Sequence, residues 1–313
     1  MSFRRAIRPA TTGLAITIMV VLSAGEGQAT ATQAEDDVCR VTPEVVEGLE
    51  YDTIDGVAPN DLSLDLHLPA TGKACAPVPL VIGVHGGGWV VGDKRGFTSD
   101  KARLFNEEGW AFATVNYRLT RRGQDPPVRY PTHNEDVARA VAWLLDHAEE
   151  FGLDPEQIGI LGHSAGAQIV ASVTTDEHYL EDVGLGLDRV ACAFPDDTEG
   201  FDVEARVATG NRGARLYTVI FGSDPAIQRD ASPLEHVEAG KDIPAMLLVR
   251  RGEPSRVAQL EQFAAALRAA DVDVEIIDAT GYSHAEVNEL IGSTGDPIMT
   301  KPVTAFFEEC FDA

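Results

Sequence analysis

Stretches of hydrophobic residues with two different spacings alternate along the chain. Residues 61–68 alternate polar and apolar side chains strictly, as a strand with one buried face does. Residues 79–84 form an unbroken apolar run stopped by glycine, which predicts a central strand buried on both faces. Between residues 137 and 148, apolar side chains recur at the spacing of an amphipathic helix.

The same patterns continue to the end of the chain. An additional strand in residues 45–54 is expected to pair antiparallel with 61–68. Further strands are predicted at 110–117, 158–161, 190–194, 245–249 and 272–277, and further helices at 165–173, 256–270 and 302–311. Strands that alternate with helices predict an α/β fold, a mostly parallel sheet with helices on both faces. Residues 175–241 are the least periodic, so we expect them to supply loops and part of a substrate pocket.

The composition excludes several classes of function. The chain has 313 residues and a formal net charge of −25. Such an excess of carboxylates repels phosphate backbones and anionic lipid, which argues against a nucleic-acid partner and against membrane binding of the mature chain.

The first residues have the composition of a secretory leader. Arg4, Arg5 and Arg8 precede an uncharged run at 11–24, and Ala29-Thr30-Ala31 fits an A-x-A cleavage site. The run is about 14 residues long, shorter than the roughly 20 that a membrane span needs. We therefore predict a signal peptide at 1–31 and a secreted or periplasmic single domain at 32–313. An uncleaved anchor is the alternative.

Four cysteines follow the predicted leader: Cys39, Cys75, Cys192 and Cys310. An even number in an exported chain favours two disulfides, and Cys39 and Cys75 flank the first predicted strands. Cys192 lies in a predicted buried strand, where a free thiol is also compatible with the pattern. The chain has no CxxC pair and no cluster of cysteine and histidine in its sequence, so no metal site is predicted.

Two short motifs indicate nucleophilic catalysis. Gly162-His163-Ser164-Ala165-Gly166 lies directly after a predicted strand and before a predicted helix, the context in which a G-x-S-x-G serine acts as nucleophile. His85-Gly86-Gly87-Gly88-Trp89 exposes backbone N–H groups that no side chain blocks. Gly87, Gly88 and Ala165 are therefore candidates for an oxyanion hole. A phosphate-binding loop is the alternative for the glycines, but the G-K-[ST] signature is missing.

With these motifs, the chain resembles the α/β-hydrolase superfamily. More closely, it is similar to the HGGGW-bearing carboxylesterases related to bacterial feruloyl esterases and to the hormone-sensitive lipase group. The resemblance extends over residues 45–311. It implies an eight-stranded sheet and a triad in the chain order Ser, acid, His.

The resemblance assigns the base and leaves the acid open. His284 follows the last predicted strand, where the triad histidine is expected. The acid is expected in the turn after strand 245–249, but Pro254 stands where relatives commonly have aspartate. Glu253 is the only carboxylate in that turn and becomes the candidate, with Asp224 as the second. A surface role for Glu253, or a triad without a strong acid, also fits the sequence.

The function expected from the sequence is that of a secreted serine hydrolase, a carboxylesterase acting on a small-molecule ester without a cofactor. Ser164 would attack the ester, His284 would move the proton, and Glu253 would orient the histidine. The same fold also carries arylformamidases and amidases. A catalytically impaired binding protein is the non-enzymatic alternative, because fold does not fix function.

Overall fold

The computed structural model describes residues 39–72 and 75–312 of the chain. Eight strands form one sheet in the order β1-β2-β4-β3-β5-β6-β7-β8. The first two pairings, β1 with β2 and β2 with β4, are antiparallel, and all the others are parallel. The strands are β1 Glu44–Glu50, β2 Ser63–Leu68, β3 Val78–Val84, β4 Ala111–Val115, β5 Leu153–His163, β6 Cys192–Asp196, β7 Ala245–Arg250 and β8 Val274–Asp278. This confirms the mostly parallel eight-stranded sheet and the antiparallel start.

Eleven helices connect the described strands. They are α1 Lys94–Glu107, α2 Thr132–Asp146, α3 Ala148–Phe151, α4 Ala165–Thr175, α5 His178–Glu181, α6 Val203–Ala208, α7 Arg212–Phe221, α8 Pro225–Asp230, α9 Pro254–Ala269, α10 Glu286–Glu289 and α11 Thr300–Asp312. Short 3₁₀ turns occur at Pro59–Leu62, Leu187–Arg189 and Pro233–His236. The aperiodic region 175–241 thus contains β6 and short helices joined by loops.

Two hydrophobic layers cover the two faces of the sheet. On one face, α1 and α11 pack phenylalanines such as Phe105 and Phe307 against Val81 and Leu161. On the other face, helices α2, α4 and α9 pack against Leu80 and Ile160. Neighbouring residues of one strand therefore enter different layers, which is why the central strands are apolar without alternation.

Helix α1 was not predicted from the sequence, because its polar residues show no helical spacing of apolar side chains. In the structure it covers the polar side of β2. Lys94 is fully buried there, with its ammonium 3.1 Å from the Asp65 carboxylate and 2.5 Å from the Ser63 hydroxyl. Strand β2 is therefore buried on both faces, whereas its alternation predicted one face exposed to solvent. The polar face can be buried because the ion pair between Lys94 and Asp65 replaces the contacts with water.

Both expected disulfides are present. Cys39 is bonded to Cys75, and Cys192 is bonded to Cys310. The alternative of a free thiol at Cys192 is therefore wrong. The second bond ties strand β6 to the last helix, α11, across a sequence separation of 118 residues.

The predicted leader, residues 1–31, lies outside the described residues, so its cleavage stays a prediction. Within the described residues, no helix combines the length and apolar character needed to cross a bilayer.

We expect Cys192→Ala/Cys310→Ala to lower the free energy of unfolding more than Cys39→Ala/Cys75→Ala does. Removing a cross-link restores loop entropy to the unfolded chain, about 5 kcal/mol for the loop of 118 residues and about 4 kcal/mol for the loop of 36. Urea unfolding followed by circular dichroism measures both. Equal losses, or a larger loss for the shorter loop, would contradict the expectation.

Candidate active site

Ser164 lies on a sharp turn between β5 and α4. Its backbone is held at φ 60° and ψ −111°, a conformation that few non-glycine residues adopt. Two glycines make the turn feasible: a Cβ on Gly162 would lie 2.4 Å from the Gly166 carbonyl oxygen, and a Cβ on Gly166 would lie 2.2 Å from that of Val84. The structure thus gives the G-x-S-x-G segment the strand–turn–helix form that exposes a serine hydroxyl at the sheet edge.

His284 meets this hydroxyl from the loop after β8. Its Nε2 lies 2.9 Å from Ser164 Oγ. The two residues expected to act as nucleophile and base are therefore within hydrogen-bond distance, although they are 120 positions apart in the chain.

The carboxylate that faces His284 belongs to Asp197, not to Glu253. Asp197 Oδ2 lies 2.6 Å from His284 Nδ1. Glu253 is exposed at the start of α9, and its side chain makes no cap and no ion pair with the described residues. Asp224 caps α8 by accepting a hydrogen bond from the Ala226 N–H at 2.9 Å. Neither candidate acid contacts the imidazole, and this corrects the expectation for the acid.

Asp197 follows β6 directly, inside the region where the sequence shows little periodicity. Strands β5 and β6 are parallel neighbours, so the residues after them emerge at the same edge of the sheet. The Ser164 N–H donates to the Asp196 carbonyl at 3.0 Å, which fixes this proximity. A carboxylate at the end of a buried apolar strand was the signal available in the sequence. This signal does not identify the acid without the order of the strands in the sheet, which puts β6 next to β5.

The electrostatic surroundings favour an ionised Asp197. Burial alone would raise the pKa of this carboxyl, since only 2% of its side chain is exposed. The hydrogen bond from His284 and the charges of Arg256 and Arg251 outweigh burial and lower the pKa below its usual value.

The neighbouring residue Asp196 behaves in the opposite way. Burial and the negative charge of Asp197 raise its pKa well above the usual value, and its carboxyl oxygens have no hydrogen-bond partner among the described residues. The neutral acid is therefore the favoured form, and one negative charge remains beside the imidazole.

His163, next to the serine, supports the base loop. Burial and the charge of His284 lower the pKa of its imidazole to about 3, which keeps it neutral. Its Nε2 donates to the His284 carbonyl oxygen at 2.8 Å. This bond anchors the backbone of the residue that faces Ser164.

The glycine loop after β3 packs against the nucleophile. A Cβ on Gly86 would lie 3.2 Å from Ser164 Cβ. Gly87 and Gly88 have φ of 110° and 60°, and neither N–H donates to an acceptor within the described residues. Ala165 begins α4, where the first N–H groups of a helix have no acceptor of their own. Gly88 and Ala165 line the same cavity as Ser164, and Gly87 directly precedes Gly88.

The side chains of His85 and Trp89, at the two ends of the glycine loop, anchor it to the protein interior. The His85 Nδ1 donates to the Gly86 carbonyl at 2.7 Å, and its ring stacks on Tyr117. Trp89 is fully buried against Tyr217 and Phe221.

A small cavity of about 160 Å³ opens beside Ser164. Its walls combine apolar and charged groups, namely Gly88, Leu216, Tyr217, Glu199, Arg206 and Arg256. Four of these come from the region 175–241, which confirms its predicted part in the pocket.

The ligand atoms of His163, Asp197 and His284 lie within 4.8 Å of one another, a spacing that also suits a metal ion. However, His163 Nε2 is bonded to a carbonyl, and both nitrogens of His284 already face hydroxyl and carboxylate partners. The nitrogen and oxygen atoms of these three residues are therefore arranged for hydrogen bonds rather than for binding a metal ion.

Comparison with known proteins agrees with this geometry. Residues 64–207 match the BD-FAE family model. "Truncated form of carbohydrate esterase from gut microbiota" is a solved structure with a TM-score of 0.70 and 19% identity, covering 87% of this chain and 98% of that chain. The chain has the α/β-hydrolase fold.

Curated relatives of the chain include "Probable carboxylic ester hydrolase LipM" of Mycobacterium tuberculosis (strain ATCC 25618 / H37Rv), 36% identical over 35% of this chain and 24% of that protein. "Ethyl acetate hydrolase" of Pseudomonas putida is 26% identical over 77% of this chain and 76% of that protein. Three curated relatives, LipM among them, are matched over only 21 to 40% of their own length.

We expect Gly87→Ala to destabilise the protein by about 2 kcal/mol or more, because the added Cβ would lie 1.9 Å from the Val91 carbonyl oxygen at a positive φ. Gly96→Ala in α1 is the matched control, since its Cβ meets nothing within 4 Å. Thermal unfolding of both variants measures the difference. A stable Gly87→Ala variant would mean that the loop tolerates another conformation.

Proposed function

We propose that this protein is a carboxylesterase in which Ser164, His284 and Asp197 form the catalytic triad. The observation that carries the proposal is the continuous chain of short contacts, 2.9 Å from Ser164 Oγ to His284 Nε2 and 2.6 Å from His284 Nδ1 to Asp197 Oδ2. An ionised Asp197 fixes the tautomer with the proton on Nδ1. This leaves Nε2 free to accept the serine proton.

In the proposed reaction, Ser164 Oγ attacks the ester carbonyl carbon while His284 takes its proton. The negative charge that develops on the carbonyl oxygen is stabilised by the N–H groups of Gly87, Gly88 and Ala165. His284 then protonates the leaving alcohol, and an acyl-enzyme remains on Ser164. Water, activated by the same imidazole, hydrolyses it and restores the serine.

The choice of an ester rests on the relatives and on the pocket. Two of the relatives are named as hydrolases of esters, one of them of ethyl acetate. The cavity beside Ser164, about 160 Å³, suits a short acyl group. We therefore propose a preference for short acyl chains, with Leu216 in the wall of the pocket that receives them.

We also infer export of the protein. Two disulfides are typical of proteins that fold in an oxidising compartment, and residues 1–31 have the composition of a signal peptide.

Ser164→Ala tests the nucleophile. We expect the burst of product that accompanies acylation by p-nitrophenyl acetate to disappear, because alanine has no hydroxyl to acylate. The variant should keep the circular dichroism spectrum and the thermal unfolding of the parent. A full burst in this variant would refute the proposed mechanism, and p-nitroacetanilide in parallel reports any amidase activity.

Asp197→Asn separates the two assignments of the acid. Asparagine keeps the shape of the side chain but removes the charge that fixes the imidazole, so kcat should fall by about 10³ to 10⁴ with KM little changed. Glu253→Gln and Asp224→Asn are the controls and should stay near the parent rate. If Glu253→Gln lost activity instead, the geometry of Asp197 would have no catalytic meaning.

Leu216→Ala tests the acyl pocket. Shortening the side chain should raise kcat/KM for hexanoyl relative to acetyl esters by about tenfold or more, since each added methylene in a pocket contributes 1 to 3 kcal/mol. Val219→Ala on the same helix is the control, because Val219 is exposed and lines a different cavity. An unchanged ratio would place the acyl group elsewhere.

A further inference from the structure

Two arginines contact the carboxylate of Asp197, one from the loop in which the acid itself was expected and one from the helix that follows this loop. Arg251 directly follows β7, and Arg256 lies in the first turn of α9. Their side chains are only 10% and 14% exposed. Neither residue takes part in the proposed reaction steps, so their burial around one carboxylate needs a reason.

Arg256 makes the more directional contacts. Its Nε donates to Asp197 Oδ1 at 2.7 Å, and its Nη2 donates to the Asp197 backbone carbonyl at 2.8 Å. One planar guanidinium thus fixes the side chain and the backbone together. This matters because Asp197 has a φ of 59°, in the left-handed region that costs energy for residues other than glycine.

Arg251 acts mainly through its charge. Its Nε lies 3.0 Å from Oδ2, the oxygen that also accepts from His284, but the Nε–H is not aligned for a hydrogen bond. The positive charge of Arg251 therefore partly offsets the negative charge of the carboxylate that faces the imidazole. Arg251 does not compete with His284 for a hydrogen bond to Oδ2.

A second ion-paired group keeps Arg256 in place. Its Nη1 lies 3.2 Å from Glu199 Oε2, and the same oxygen lies 3.2 Å from Nη2 of the buried Arg206. Arg206 in turn covers the ring of Tyr217 in the wall of the pocket. The network thus continues from the acid to the substrate cavity.

We propose that Arg251 and Arg256 are positioning residues for the reaction proposed above. Arg256 orients the Asp197 carboxylate towards His284, and Arg251 sets how strongly that carboxylate stabilises the protonated imidazole. The inference rests on the proposed function for its kinetic tests, but the contacts can also be tested without any substrate.

Arg256→Met should lower kcat by about 10- to 100-fold with KM little changed, because Asp197 loses the hydrogen bonds that hold its carboxylate and its backbone carbonyl. Arg256→Lys should not restore kcat, since an ammonium cannot bond the carboxylate and the carbonyl in the same planar geometry. Should the methionine variant fail to fold, the lysine variant serves the same test. Parental kcat in either folded variant would overturn the role of Arg256.

Arg251→Met should instead move the acidic limb of the kcat/KM profile to higher pH, by about one unit. Removing a nearby positive charge favours the protonated imidazole, which cannot act as a base. Arg251→Lys should keep the parental profile. Arg250→Met is the matched control, because Arg250 pairs with Glu261 and Asp278 instead.

Other titratable groups near Asp197 and His284 are accounted for by further variants. Asp196 is the nearest, His163 stays neutral, and Glu199 is ion-paired. Burial lowers the pKa of Lys101 to about 8, so its titration belongs to the alkaline limb. The shift of the acidic limb should therefore persist in Asp196→Asn/Arg251→Met. Its loss there would overturn the role of Arg251.

Proton NMR provides the test that needs no ester. An imidazole N–H that donates to a carboxylate gives a far-downfield signal, which we expect for His284 in the parent and expect to weaken or move in Arg256→Met. A protein that hydrolyses no ester but shows this change would refute the proposed function and leave the positioning of Asp197 by Arg256 intact. An unchanged signal in Arg256→Met would overturn that positioning role.

Discussion

A carboxylate with 2% of its side chain exposed is costly to bury as an ion, and Asp197 offsets that cost with partners from three separate parts of the chain. His284 approaches from the loop after β8, Arg251 from the end of β7, and Arg256 from the first turn of α9. Two of these partners are held by further contacts, His284 through His163 and Arg256 through Glu199. The position of the imidazole next to Ser164 therefore depends on the charge at Asp197.

The order of the strands makes this convergence possible. Strands β5, β6, β7 and β8 are consecutive neighbours in the sheet and run parallel. Ser164, Asp197 and Arg251 follow the first three of them directly, and His284 lies in the loop after the fourth. Their side chains thus emerge along one edge, where ligands of open α/β sheets bind. The bond between Cys192 and Cys310 further ties the strand that carries Asp197 to α11.

Much of the fold could be predicted from the sequence because its signals are local. Apolar runs mark β3 and β7, and the glycines around Ser164 mark a turn that no bulkier residue permits. Helix α1 was missed because its burial depends on Lys94 meeting Asp65, a contact between distant segments. The acid was missed for the same reason. Asp197 differs from the other carboxylates of the chain only in what the neighbouring strands bring to it.

The position where the acid was expected, after β7, and the position of the carboxylate that faces His284, after β6, lie on neighbouring strands. They are not independent. A buried carboxylate after β6 needs positive charge close by, and Arg251 and Arg256, which follow the neighbouring strand β7, supply it. The β7–α9 loop does contain one carboxylate, Glu253, but its side chain is exposed and makes no ion pair with the described residues, so Arg251 pairs with Asp197, and Arg256 with Asp197 and Glu199. Arg251, Arg256 and Asp197 are therefore best understood as one unit. The buried carboxylate requires the two positive charges, and the two buried arginines require the carboxylate.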